Sequence, residues 1–156
     1  MSRLPKLPTP AALLFSILYY CAAAALSAAE KDAQAVQVKI GTILASNQSD
    51  EFDSRLRPLQ KQLKVMKYRS YRLLKEETQS AAWQGNATFE IPGGRSLVVT
   101  PQESRNKQLA LQVRLLEGEQ PLLDTTVRLP NRGHFLLGGP PHEGGVLILS
   151  ISATLP

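Results

Sequence analysis

His134 and His142 are the only imidazoles in the chain. With Glu143 and Asp124 they are the residues whose types could ligate a metal ion or move a proton. Their spacing argues against it. There is no H-E-x-x-H pair, and no cysteine stands near either histidine to complete a ligand set. His134 opens a short strand pattern and His142 falls among turn residues, so both read as surface side chains. Gly138-Gly139-Pro140-Pro141-His142-Glu143-Gly144-Gly145 is the richest glycine stretch. Glycines that cradle phosphate lead into a helix. These lie between two strand patterns and lack both G-x-G-x-x-G and Gly-Lys-Ser/Thr. The segment predicts a wide loop. No G-x-S-x-G marks a nucleophile, Asp50, Glu51 and Asp53 suit a helix start, and Glu76 and Glu77 suit a solvated strand end. No residue set points to catalysis, and no metal or cofactor is expected.

What remains is charge. Arg55, Arg57, Lys61, Lys64, Lys67, Arg69, Arg72 and Lys75 follow one another with no acid between them. Such a run fits an anionic partner: a lipid surface, an acidic envelope polymer or an acidic protein face. It also fits, and more simply, the solvated outside of a helix that covers a sheet. Arg55, Arg57, Lys61, Lys64, Lys67, Arg69 and Arg72 are therefore the candidate anionic-partner face.

Arg55, Arg57, Lys61, Lys64 and Lys67 sit on the one helical pattern outside the N-terminal region, and Arg69 and Arg72 follow it directly. Phe52, Leu56, Leu59, Leu63 and Met66 recur at steps of four, three, four and three, which draws one apolar stripe along a helix. The pattern predicts a helix over about Asp53 to Lys67, bent or loosened at Pro58, which cannot donate a backbone hydrogen bond. Val36 to Leu44 alternates as a strand before it, and Tyr68 to Glu76 reads as a strand after it. Strand, helix and strand in succession suggest a right-handed crossover between parallel strands, or a split pair with another strand between them. Thr78 to Gly85 reads as a connection.

Beyond it the helical signal stops. Ala87 to Ile91 and Leu97 to Val99 flank Pro92-Gly93-Gly94 as a hairpin. Pro101 to Lys107 reads as a loop. Leu109 to Leu115 and Leu123 to Leu129 alternate cleanly around Glu117-Gly118-Glu119. Pro130 to Gly133 turns into a short strand, His134 to Leu137, and Val146 to Ala153 is the last. About eight strands and one amphipathic helix predict an α+β fold: a mostly antiparallel sheet, or a small sandwich, with the helix packed on one face.

The N-terminus reads as an address. Arg3 and Lys6 precede an apolar stretch from Ala11 to Leu26 broken only by Ser16, and Ser27-Ala28-Ala29 supplies the small residues of a cleavage site. Residues 1–29 are expected to be a secretory signal peptide, and residues 30–156 a single β-rich domain, periplasmic or extracellular. An uncleaved segment would be its only route to membrane attachment. Cleavage would also remove Cys21, the chain's one cysteine, so the exported domain would hold together without disulfides. It would leave 16 of the 18 basic residues against 13 acidic ones, a net charge of about +3. That balance argues against nucleic acid as a partner.

Leu129-Pro130-Asn131-Arg132-Gly133-His134-Phe135-Leu136-Leu137-Gly138-Gly139 resembles the strand-turn-strand ending in Gly-Gly near the end of outer-membrane secretin channels. The resemblance stops at those residues, since the family's membrane-spanning segment and repeated periplasmic modules have no counterpart here. It implies a β-protein of the cell envelope and no family membership. The residues therefore point to a secreted or periplasmic non-catalytic binding or adaptor module of unknown partner. The alternatives are an accessory subunit of a cell-envelope secretion or outer-membrane assembly, and a small envelope enzyme whose site is scattered along the chain.

Overall fold

The computed structural model describes residues 34–156. The expected signal peptide, its cleavage point and Cys21 lie outside the described residues. Eight strands follow in order: β1 Val36–Ser46, β2 Ser70–Ala81, β3 Ala87–Ile91, β4 Arg95–Arg105, β5 Gln108–Glu117, β6 Gln120–Pro130, β7 His134–His142 and β8 Gly145–Thr154. Between β1 and β2 lie a 3-10 helix, Ser54–Leu59, and a five-residue α-helix, α1, Gln60–Lys64. The strands form two four-stranded sheets, ordered β2-β1-β8-β7 and β3-β4-β5-β6. Every pairing within them is antiparallel.

Strand alternation explains why two sheets form. Val36, Val38 and Ile40 of β1, Leu147, Leu149 and Ile151 of β8, Phe89, Leu97, Val99 and the odd-numbered apolar residues of β5 bury together as the sandwich core. Each such side chain, fully buried, contributes about 1.5–3 kcal/mol of transfer free energy. The first sheet has a second buried face. Ile43 and Ala45 of β1, Tyr71 and Leu73 of β2 and Ile148 of β8 pack against Leu56, Leu59 and Leu63 of the helical connection. The helix thus covers the outside of the sandwich and takes no part in its core.

Several expectations are corrected. β1 and β2 are direct antiparallel neighbours, in register from Val36↔Ala81 to Ser46↔Ser70 with a bulge at Thr42/Ile43. Neither the parallel crossover nor the split pair is present, because the connection leaves and re-enters at the same end of the sheet. β2 begins at Ser70 and takes in the first half of the expected connection, as far as Ala81, and β4 takes in most of the expected loop, as far as Arg105. The helix is shorter and of two kinds. Pro58 lies inside the 3-10 segment, where its missing N–H leaves no α-helical bond at that position, and α geometry begins only at Gln60. The predicted wide loop at Gly138–Gly145 is mostly strand. β7 continues to His142 with a register shift between Gly138 and Pro141. The turn itself is Glu143-Gly144, both at positive φ (45° and 75°), the combination that tight hairpins require.

Candidate functional site

The connection from Ser46 to Ser70 is held onto the sheet by polar contacts at both its ends. Asp53 caps the 3-10 helix, its carboxylate accepting from the Arg55 backbone N–H at 3.1 Å. The same carboxylate accepts from Arg55 Nε at 3.0 Å, Arg55 Nη2 at 2.6 Å and the Leu73 backbone N–H at 3.1 Å. Hydrogen bonding from Arg55, above all, holds the Asp53 carboxyl far below the usual carboxylate range. Further back, Arg69 grips Asp50 through Nε at 2.8 Å and Nη2 at 2.7 Å, and the Arg69 N–H donates to Asn47 Oδ1 at 3.1 Å. The hydrogen bond from Arg69 lowers the Asp50 pKa as well.

These contacts divide the basic run. Arg55 and Arg69 are committed to acids that precede the helix, and Lys75 meets Glu77 at 3.1 Å. Arg57, Lys61, Lys64 and Lys67 are exposed and, among the described residues, form no ion pair. Arg72 is exposed as well, but it stands between Tyr71 and Leu73, so alternation turns it to the other side of β2. The cationic surface on the helical connection therefore comprises Arg57, Lys61, Lys64 and Lys67.

Beside this surface lies a cleft of about 110 Å³ between the 3-10 helix and the sheet. Arg55, Leu56, Pro58 and Leu59 form one wall. The other is built by cross-strand rows: Glu76, Gly41 and Ser150 in one, Lys39, Ser152 and His134 in the next. Lys39 Nζ meets Glu76 Oε1 at 3.0 Å across the mouth. Gly41 leaves the floor open, where a Cβ would stand 3.5 Å from Ser150 Cβ. The cleft sets an imidazole near two hydroxyls, but it is small beside the roughly 300–1,000 Å³ of ligand pockets. Lys39, Gly41, Ser150 and Ser152 were not legible as a group. Their one signal is that Ser150 and Ser152 alternate with Leu149, Ile151 and Ala153 on the last strand.

The remaining sequence candidates are not gathered. His142 and Glu143 meet at 3.7 Å at the β7–β8 turn, His134 lines the cleft, and Asp124 lies on β6 of the other sheet. Among the described residues no three His, Cys, Asp or Glu side chains converge as a metal ligand set. The segment Leu129–Gly139 is an arch: its first strand ends β6 in one sheet, and its second is β7 in the other. Compared with known proteins, the chain matches no family model, and no curated protein or solved structure shows significant similarity to it.

Proposed function

We infer that the protein is an exported, non-catalytic binding module of the cell envelope that engages an anionic component through its helical connection. The observation that carries this reading is the division of the basic run. Asp53 and Asp50, which precede the helix, neutralise Arg55 and Arg69, yet Arg57, Lys61, Lys64 and Lys67 are left exposed and without an ion-pair partner among the described residues. A surface whose only task was to stay soluble could carry either sign, whereas four unpaired like charges on one pinned element attract counter-charge. The N-terminal address supports export to the periplasm or the extracellular space.

Cosedimentation with vesicles of anionic phospholipid, with neutral vesicles and with an acidic polysaccharide tests the reading. Binding to an anionic probe that weakens with salt, and that Lys61→Gln, Lys64→Gln and Lys67→Gln together reduce at least about tenfold, is the expected result. Equal retention of the original and substituted proteins on every probe would overturn it.

A further inference from the structure

We propose that β6 is a self-association edge, through which two copies of this chain pair antiparallel about a two-fold axis at Thr126 and join two four-stranded sheets into one. The other three edges are each guarded. On β2, Tyr71 already exchanges backbone hydrogen bonds with the preceding segment, its N–H donating to Glu51 O at 3.0 Å and its carbonyl accepting from Asp53 N–H at 2.9 Å. Charged Lys75, Glu76 and Glu77 continue along the same strand. β3 has only five residues. β7 carries Pro140 and Pro141 within a register shift. Short strands, prolines, bulges and charges are the ordinary defences of an open edge. Between Leu123 and Leu129, β6 has no proline and no bulge, and its two charges, Asp124 and Arg128, are of opposite sign.

That middle is self-complementary. From Leu123 to Leu129 the strand pairs with β5 in unbroken register, Leu115↔Leu123 through Leu109↔Leu129. A shift at Leu115/Leu116 leaves Leu122 as an extra residue at one end, and Pro130 closes the other. The uninterrupted segment reads Leu-Asp-Thr-Thr-Val-Arg-Leu, and its central residue is Thr126. Laid antiparallel on itself about Thr126, it sets Asp124 opposite Arg128 of the second copy and Arg128 opposite Asp124. On the core side Leu123 meets Leu129 and Thr125 meets Val127, a pair of nearly equal shape. Opposite charges and matched β-branched residues are the favourable cross-strand pairs.

The charges also select this register. A slip of one residue would bring core-side against solvent-side residues. A slip of two in either direction separates both ion pairs, and a slip of four sets Asp124 against Asp124 or Arg128 against Arg128. Both side chains are exposed. Arg128 is 53% exposed and pairs at 3.6 Å with Glu103 of its own sheet, a surface ion pair that it would exchange for Asp124 of the second copy. Asp124 is exposed and accepts one hydrogen bond, from Gln112 Nε2 at 3.1 Å. The resulting interface would be isologous, as a two-fold dimer requires. It lies on the sheet opposite the one that the basic connection covers, so it stands or falls independently of anion binding.

The test is a charge swap in the full chain, produced in a host that exports it and sized by light scattering in mild detergent. The original protein should have twice the monomer mass. Arg128→Asp alone and Asp124→Arg alone should be monomeric, and the double variant Asp124→Arg with Arg128→Asp should dimerise again, with circular dichroism confirming folded sheet throughout. Independently of any folding loss, Thr126→Cys in a Cys21→Ser background should cross-link to a dimer under mild oxidation, while Thr88→Cys on the β3 edge should not. A monomeric original protein, a dimer indifferent to single reversal, a folded double variant that stays monomeric, or no Thr126 cross-link would each overturn the proposal.

Discussion

The Tyr71 hydroxyl donates a 2.6 Å hydrogen bond to the Leu63 carbonyl oxygen and accepts one of 3.1 Å from the Tyr68 backbone N–H. A strand side chain thereby gives the Leu63 carbonyl at the end of α1 a second donor beside the Met66 backbone N–H at 3.0 Å. Tyr71 is only 4% exposed, so water cannot readily replace its hydroxyl. Sheet and helix are joined by polar bonds as well as by apolar packing.

Tyr71→Phe keeps the ring, and with it the edge-on contacts to Phe52 and Tyr68, but removes one of the two donors to the Leu63 carbonyl and leaves the Tyr68 N–H without its acceptor. It should cost about 1–3 kcal/mol. Denaturant unfolding measured beside the original protein checks this. No change in midpoint would show that the hydroxyl does not secure the connection.

Acid should loosen the same connection. The Asp53 carboxyl titrates below its unfolded value because Arg55 and then Leu73 donate hydrogen bonds to its charged form. A depressed carboxylate stabilises the fold fully above the ordinary value of 3.8 and loses that contribution as pH falls from there toward the folded value. Asp50, under Arg69, acts in the same direction. Melting temperature should therefore drop as pH falls below that value. Asp53→Asn should lower it at neutral pH and flatten its acid limb. Parallel curves for both proteins would contradict the assignment.

A gain in stability is expected at the β4–β5 hairpin. Its two-residue turn, Asn106-Lys107, holds both residues at positive φ (53° and 61°). Asn tolerates that region, whereas Lys is strained there, and Asn-Gly is the favoured pair for such turns. Lys107→Gly should raise stability by about 0.5–1 kcal/mol, read as a higher midpoint at unchanged denaturant slope. A lower midpoint would place the turn in another conformation.

Both proposed interaction surfaces depend on relationships that differ in how far they reach along the chain. The basic run was visible as composition, and its placement on the one helical pattern followed from the spacing of Leu56, Leu59 and Leu63. Its division was not visible. That Asp50 and Asp53 would turn back onto Arg69 and Arg55 depends on the path of the connection. Expecting parallel β1 and β2 failed for a related reason, since alternation within a strand does not specify which neighbour it pairs with or in which direction. Ile43 reads as the lesser face of an alternating strand expected to stop at Leu44, and only the docking of Leu59 and Leu63 explains why that face is apolar and continues through Ala45. In the Gly138–Gly145 segment, Gly and Pro suggested a loop, but tertiary pairing with β8 holds most of it as strand.

The sequence by itself determined the strand-rich character, the position of the helical connection, two of the four hairpin turns and the even charge spacing within Leu123–Leu129. These follow from period, turn chemistry and side-chain type over a few neighbouring residues. The tertiary structure decided that two sheets face each other, that the helix covers an outer face, that His134 comes beside Ser150 and Ser152, and that β6 remains an edge. Each is a contact between residues far apart in the chain, formed because every apolar face must find cover, and no local pattern states which cover it will find.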